Sequence, residues 1–159
     1  MKWVLAILGC CSLAVAQLYT ETILTNQQPM LEHFRTDTRL TFITKTIEPG
    51  LVSILQNSWL VVPEVTIITD RASLRQMPDL CRSAFFLRRA GAVYVVDTVP
   101  SVPTLIMERD AETLMVQGPF ISGAAGGTTK LMRGEPMVRI LAAQMLSAVL
   151  QKAVLERAC

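Results

Sequence analysis

Asp97 closes the apolar run Ala90-Gly-Ala-Val-Tyr-Val-Val, and a carboxylate at the end of such a run points to a definite chemistry. Ligands of open α/β sheets sit at the carboxyl ends of the strands, so a hard oxygen ligand there meets a divalent cation, a sugar hydroxyl or a phosphate-bound cation. Arg88 and Arg89 carry charge that reaches a diphosphate, and they equally suit a helix C-terminus, where cations complement the macrodipole. Asp97 and Asp70 also fit as caps of the segments that follow them. Glu108, Asp110 and Glu112 add carboxylates, although their spacing gives no means of aiming them. His33 is the only histidine and has no cysteine beside it, which leaves neither a zinc set nor a Ser-His pair. The stretch Gly118–Lys130 departs from the phosphate-loop pattern, because Thr128 and Thr129 separate Gly127 from Lys130.

The elements that position these residues follow from apolar periodicity. Leu40–Thr44 alternates and is rich in β-branched and aromatic residues, which predicts a first strand. Leu51, Ile54, Leu55 and Trp59 recur at helical spacing and end before Pro63. Val65–Thr69 reads as a second strand closed by Asp70, followed by a short helical turn over Arg71–Met77. Leu80, Ala84 and Leu87 predict a helix stopped at Gly91, and Val93–Val96 is a third strand whose unbroken apolar run marks a centre buried on both faces. Pro100 and Pro103 impose a loop or a kinked start to Thr104–Arg109, and Leu114–Val116 is a short fourth strand. Gly118–Gly127 is too rich in glycine to be regular, whereas Pro136–Ala158 predicts one long helix with Val138, Leu141, Met145, Val149 and Ala153 on its apolar side. The expected architecture is α/β: three layers, a mainly parallel sheet of Rossmann-like strand–helix units and a long C-terminal helix.

The chain of 159 residues is 51% hydrophobic and 18% charged, which excludes disorder. Lys2, the apolar run Val4–Ala16 and the small residues Ala14 and Ala16 form a secretory signal, so residues 1–16 are expected to be removed, or to act as a short signal anchor. At about 1.5 Å per residue that run is too short to cross a hydrocarbon core of roughly 30 Å, and no membrane span is expected in the mature chain. Residues 17–159 then form a single domain located outside the cell or in the lumen of the endoplasmic reticulum or Golgi. Cys10 and Cys11 leave with the signal; Cys81 and Cys159 can form one disulfide, or Cys159 can stay free or pair between chains. A net charge of +2 gives no electrostatic case for nucleic acid as a partner.

The order of strand, Ile54-Leu-Gln-Asn-Ser-Trp59, Val65-Thr-Ile-Ile-Thr-Asp70, helix, Tyr94-Val-Val-Asp97 and Leu114-Met-Val-Gln-Gly118 resembles the nucleotide-diphospho-sugar transferase superfamily, the glycosyltransferase A fold. Phe120–Gly126 is similar to a segment of the fringe-type glycosyltransferases. The resemblance implies a nucleotide held by Thr44, Lys45 and Asp70, and Mn²⁺ or Mg²⁺ held by Asp97 against the donor diphosphate. Its partners would be a nucleotide sugar and a glycan or protein acceptor. Val95 and Val96 stand where that family has polar or acidic groups, and this sequence names no catalytic residue. The expected function is a glycosyltransferase-like protein of the secretory pathway, with a non-catalytic secreted α/β interaction domain as the alternative.

Overall fold

A computed structural model describes residues 18–34, 37–46, 64–76, 90–120 and 128–155. The expected signal, the expected helix at 51–62, all of the expected helix at 80–90 except Ala90, which opens a strand instead, the glycine run 121–127, and Cys81 and Cys159 lie outside the described residues. The elements in chain order are β1 (Thr20–Leu24), α1 (Gln28–Leu31), β2 (Arg39–Ile43), β3 (Glu64–Asp70), α2 (Arg71–Arg75), β4 (Ala90–Val96), β5 (Thr104–Glu108), β6 (Thr113–Gln117), β7 (Thr129–Arg133), α3 (Met137–Leu150) and β8 (Val154–Leu155).

The strands form one eight-stranded sheet in the order β1-β7-β6-β5-β2-β3-β4-β8. Only β2–β3 and β3–β4 are parallel, and every other neighbouring pair is antiparallel. The expectation of a mainly parallel, Rossmann-like sheet is therefore corrected to a mixed sheet that is mostly antiparallel. The cause is visible between β5 and β6, where the Arg109 N–H donates to the Glu112 carbonyl at 2.8 Å and closes a tight turn. Strands joined by so short a connection can only pair antiparallel. β5 and β6 nevertheless read as unbroken apolar runs, because both faces of the sheet are covered. A continuous run reports burial on both faces and leaves strand direction open.

One face packs Leu40, Phe42, Val65, Ile67, Val93, Leu105, Met107, Leu114 and Val116 beneath Met30 of α1 and Phe34. The opposite face packs Ile43, Ile68, Val96, Ile106, Met115 and Met132 beneath Val138 and Ala142 of α3. The side chains divide between the faces by the two-residue period of each strand. The helix expected over Pro136–Ala158 occupies Met137–Leu150 instead. Beyond it the Ala153 N–H donates to the Leu150 carbonyl at 3.2 Å, and Val154 and Leu155 pair with Val95 and Tyr94. A strand pairing ends this helix, and the sequence carries no glycine or proline there to announce it. No helix among the described residues is long and apolar enough to cross a membrane.

Candidate functional site

The parallel register of β2, β3 and β4 aligns Ile43 with Ile68 and Asp70 with Val96, so the carboxyl ends of these strands share one edge. Thr44, Lys45, Asp70 and Asp97 are all brought to that edge, but they do different things there. Thr44 is buried; its N–H donates to the Ile68 carbonyl at 3.1 Å and its hydroxyl donates to the Thr46 carbonyl at 2.9 Å. Its side chain is thus committed to a local turn. Lys45 is exposed. Thr69, between the two aspartate-bearing ends, is buried, and its Oγ1 has no hydrogen-bond partner.

Asp70 caps α2: its Oδ1 accepts from the Ser73 N–H at 2.7 Å. That bond, the hydrogen bond from the Ser73 hydroxyl and the charge of Lys45 hold its carboxyl below the ordinary carboxylate range. The capping alternative raised by the sequence is the role the side chain plays. Asp70→Ala is expected to cost about 1 kcal/mol, the usual loss of an N-cap, in a urea denaturation series. Because the folded-state pKa is depressed, the cap's contribution is present above the ordinary value of 3.8 and is lost as pH falls through the folded value. Asp97 is exposed at the end of β4. Among the described residues no three His, Cys, Asp or Glu side chains converge on a point where a metal ion would sit.

What gathers at this edge is positive charge. Lys45, Arg71 and Arg75 of α2, and Lys152 in the turn before β8 are all exposed, and among the described residues they outnumber Asp70 and Asp97. Lys130 stands at the same level on β7 but lies 3.7 Å from Glu21 of β1.

The opposite edge carries a polar clasp that the sequence does not reveal. Arg109 donates through Nε to Thr38 Oγ1 at 2.9 Å and through Nη2 to the His33 carbonyl at 3.3 Å, with Asp37 at 3.6 Å. Arg133 pairs with Glu112 at 3.1 Å and approaches His33 Nε2 at 3.3 Å. Arg139 pairs with Glu135 at 3.3 Å and reaches the Asp110 carbonyl, while Glu135 also accepts from the Thr113 N–H. These bonds tie the β5–β6 turn to α1, β7 and the start of α3. The one sequence signal for them is the i,i+4 spacing of Glu135 and Arg139 at a helix start. Among the described residues acidic groups prevail here: Glu32, Asp37, Glu64, Glu108, Asp110, Glu112 and Glu135 outnumber Arg39, Arg109, Arg133 and Arg139. The described residues thus segregate charge along the strand axis.

Burial first, and then the charges of Arg133 and Arg109, hold the His33 imidazole below its ordinary value of 6.5. The folded chain resists a proton that the unfolded chain accepts, so stability should decline as pH falls from about 6.5 through the folded value. Melting curves between pH 7.5 and 6, above the carboxylate range, should show this decline, and His33→Gln should flatten it. An equal decline in the variant would assign it to other groups.

No family model matches the chain, and no curated protein matches it in sequence. Among solved structures it is similar to TrmBL2, an archaeal chromatin protein that shows a novel mode of DNA binding, at a TM-score of 0.53 and 10% identity. The match covers 84% of this chain and 52% of TrmBL2, so the chain spans about half the length of that structure. At this identity the likeness concerns the fold. It corrects the expectation of a glycosyltransferase A fold, which the mixed sheet already contradicts. The expected nucleotide sugar and acceptor, and the roles as a secretory glycosyltransferase or a secreted interaction domain, fall with that fold. The exclusion of nucleic acid is also overturned: it rested on net charge, and the fold occurs in a protein that binds DNA.

Proposed function

We propose that the chain binds a phosphodiester polyanion, in the first instance duplex DNA, along the edge formed by Lys45, α2 and the turn before β8. The observation that carries this reading is the segregation of charge. Among the described residues, exposed cations collect at the carboxyl ends of β2–β4, while acidic groups prevail at the other edge. A polyanion is attracted to the first edge and repelled from the second, whatever the net charge of the chain. The fold shared with TrmBL2 agrees with the reading. The contacts are to phosphates, which position a protein on a duplex without reading its sequence.

Lys45, Arg75 and Lys152 engaging one phosphate each would give a slope of log K against log salt of about −3. Fluorescence anisotropy with a labelled duplex between 50 and 200 mM salt reads that slope directly. Lys45→Glu combined with Arg75→Glu should weaken binding at least about tenfold at low salt and reduce the slope by about 2. Arg39→Glu, at the acidic edge, should change neither. Absence of binding at 50 mM salt, or equal losses from the two edges, would refute the proposal.

A further inference from the structure

Among the described residues two carboxylates share the cationic edge, and only one of them has a duty in the fold. Asp70 caps α2 and lies within the field of Lys45. Asp97 is exposed, and no hydrogen bond or ion pair among the described residues engages it, so the cap that its sequence position suggests is not made. The sheet decides what stands beside it. β4 and β8 pair antiparallel, with Tyr94 opposite Leu155 and Val95 opposite Val154, and the same register continued by two residues sets Asp97 level with Lys152. Neighbouring strands lie about 4.8 Å apart, so this carboxylate stands next to one of the cations that meet the polyanion. At the acidic edge Glu112 and Arg133, and Glu135 and Arg139, close into ion pairs at 3.1 and 3.3 Å. Asp97 and Lys152 do not, and both face solvent with their charges open to a ligand.

We infer that Asp97 is an electrostatic brake on the polyanion edge: its free carboxylate offsets Lys152 and opposes the phosphate that this lysine attracts, which holds binding below what the cations alone would give. The inference rests on the polyanion reading and adds to it the residue that limits affinity. Asp70 cannot be that residue in the same way, because its charge is spent on the Ser73 N–H. A unit charge about 5–7 Å from a phosphate in water-like surroundings changes an affinity by a few-fold. The effect is local: a strand of seven residues such as β4 spans about 20 Å, and at 0.1 M salt charges are screened over about 10 Å, so a carboxylate at the opposite edge acts on the phosphates only weakly.

Fluorescence anisotropy of the full chain with a labelled duplex at about 0.1 M salt tests the brake. Asp97→Asn should tighten binding about two- to threefold. Asp110→Asn makes the same change of net charge at the exposed turn between β5 and β6, and it should leave the affinity where it was. Lys152→Gln should weaken binding, and in the double variant Asp97→Asn/Lys152→Gln most of the gain should vanish, because the carboxylate acts on the phosphate held by that lysine. Asp97 is exposed and unengaged, so its substitution should leave the melting temperature unchanged and a change in binding reports on the edge itself. Unchanged or weaker binding by Asp97→Asn, a gain matched by Asp110→Asn, or a gain that survives Lys152→Gln would overturn the inference and leave the polyanion reading standing. A parent chain that binds no duplex would overturn both.

Discussion

Phe42→Ala is expected to remove about 3–5 kcal/mol of stability, enough to leave the chain partly unfolded without denaturant. Phe42 lies on β2, between antiparallel β5 and parallel β3, and is fully buried at the centre of the face covered by α1. Its ring meets Phe120 edge-on, with centroids 5.6 Å apart and planes at 81°, a geometry worth about 0.5–1.5 kcal/mol beyond the area buried. Truncation therefore opens a cavity and removes the partner that anchors the segment after β6. Phe42→Leu keeps most of the volume and should cost far less, so comparing the two separates lost volume from lost ring contact. In urea denaturation the midpoint should fall steeply for alanine with little change in slope. A loss below about 1 kcal/mol would mean that this face is not the core.

Gly118→Ala should cost about 2–4 kcal/mol for a different reason, since no apolar contact is removed. Gly118 follows β6 with φ +120°, a conformation that L side chains rarely adopt. An added Cβ would stand 2.4 Å from the Thr128 carbonyl oxygen and 2.8 Å from Thr129 Cα. Both are backbone atoms, and Thr129 opens β7, which is held between β1 and β6. The Gly118 N–H also donates to the Pro103 carbonyl at 2.9 Å, so the residue cannot swing clear without losing that bond. Thermal unfolding should show a large drop in Tm, with Gly118→Ala and Gly118→Ser alike; a variant as stable as the parent would show that the turn relaxes freely.

The two glycine-dependent features of Gly118, its positive φ and its close approach to another strand, are invisible in sequence beyond the presence of a glycine near a strand end. More was legible in Leu40–Thr44, Val65–Thr69 and Val93–Val96, whose β-branched runs announce β2, β3 and β4, and in the apolar periodicity that announces α3. Neither the strand state of β5, where Pro100 and Pro103 suggest a loop or a kinked start, nor the direction of β6 was legible: Leu105-Ile-Met and Leu114-Met-Val form unbroken apolar runs because α1 and α3 cover both faces of the sheet, and such a run leaves strand direction open. β1 escaped for the opposite reason. Thr20-Glu-Thr-Ile-Leu has little apolar content, and its strand state comes from pairing with β7.

The candidate site divides in the same way. Strand-end positions place Thr44, Lys45, Asp70 and Asp97 on one edge, and that much follows from local pattern. Which of them cap or fold back, and which face solvent, depends on partners such as Ser73 and Thr46 that sit two or three residues away. The segregation of cations from carboxylates depends on register across the sheet, which puts Lys152 beside the end of β4 and Arg109 beside Thr38. Net charge averages that pattern away, which is why it misleads about partners.

The central claim is that a polyanion selects the edge at the carboxyl ends of β2–β4. Titrating a short duplex into the ¹⁵N-labelled chain at low salt tests it residue by residue. The amide signals of Thr44–Thr46, Arg71–Gln76, Asp97 and Lys152 should shift first and together, and the shifts should vanish as salt is raised. Shifts confined to Arg109–Glu112 and Arg133–Arg139, or none at all, would contradict the account.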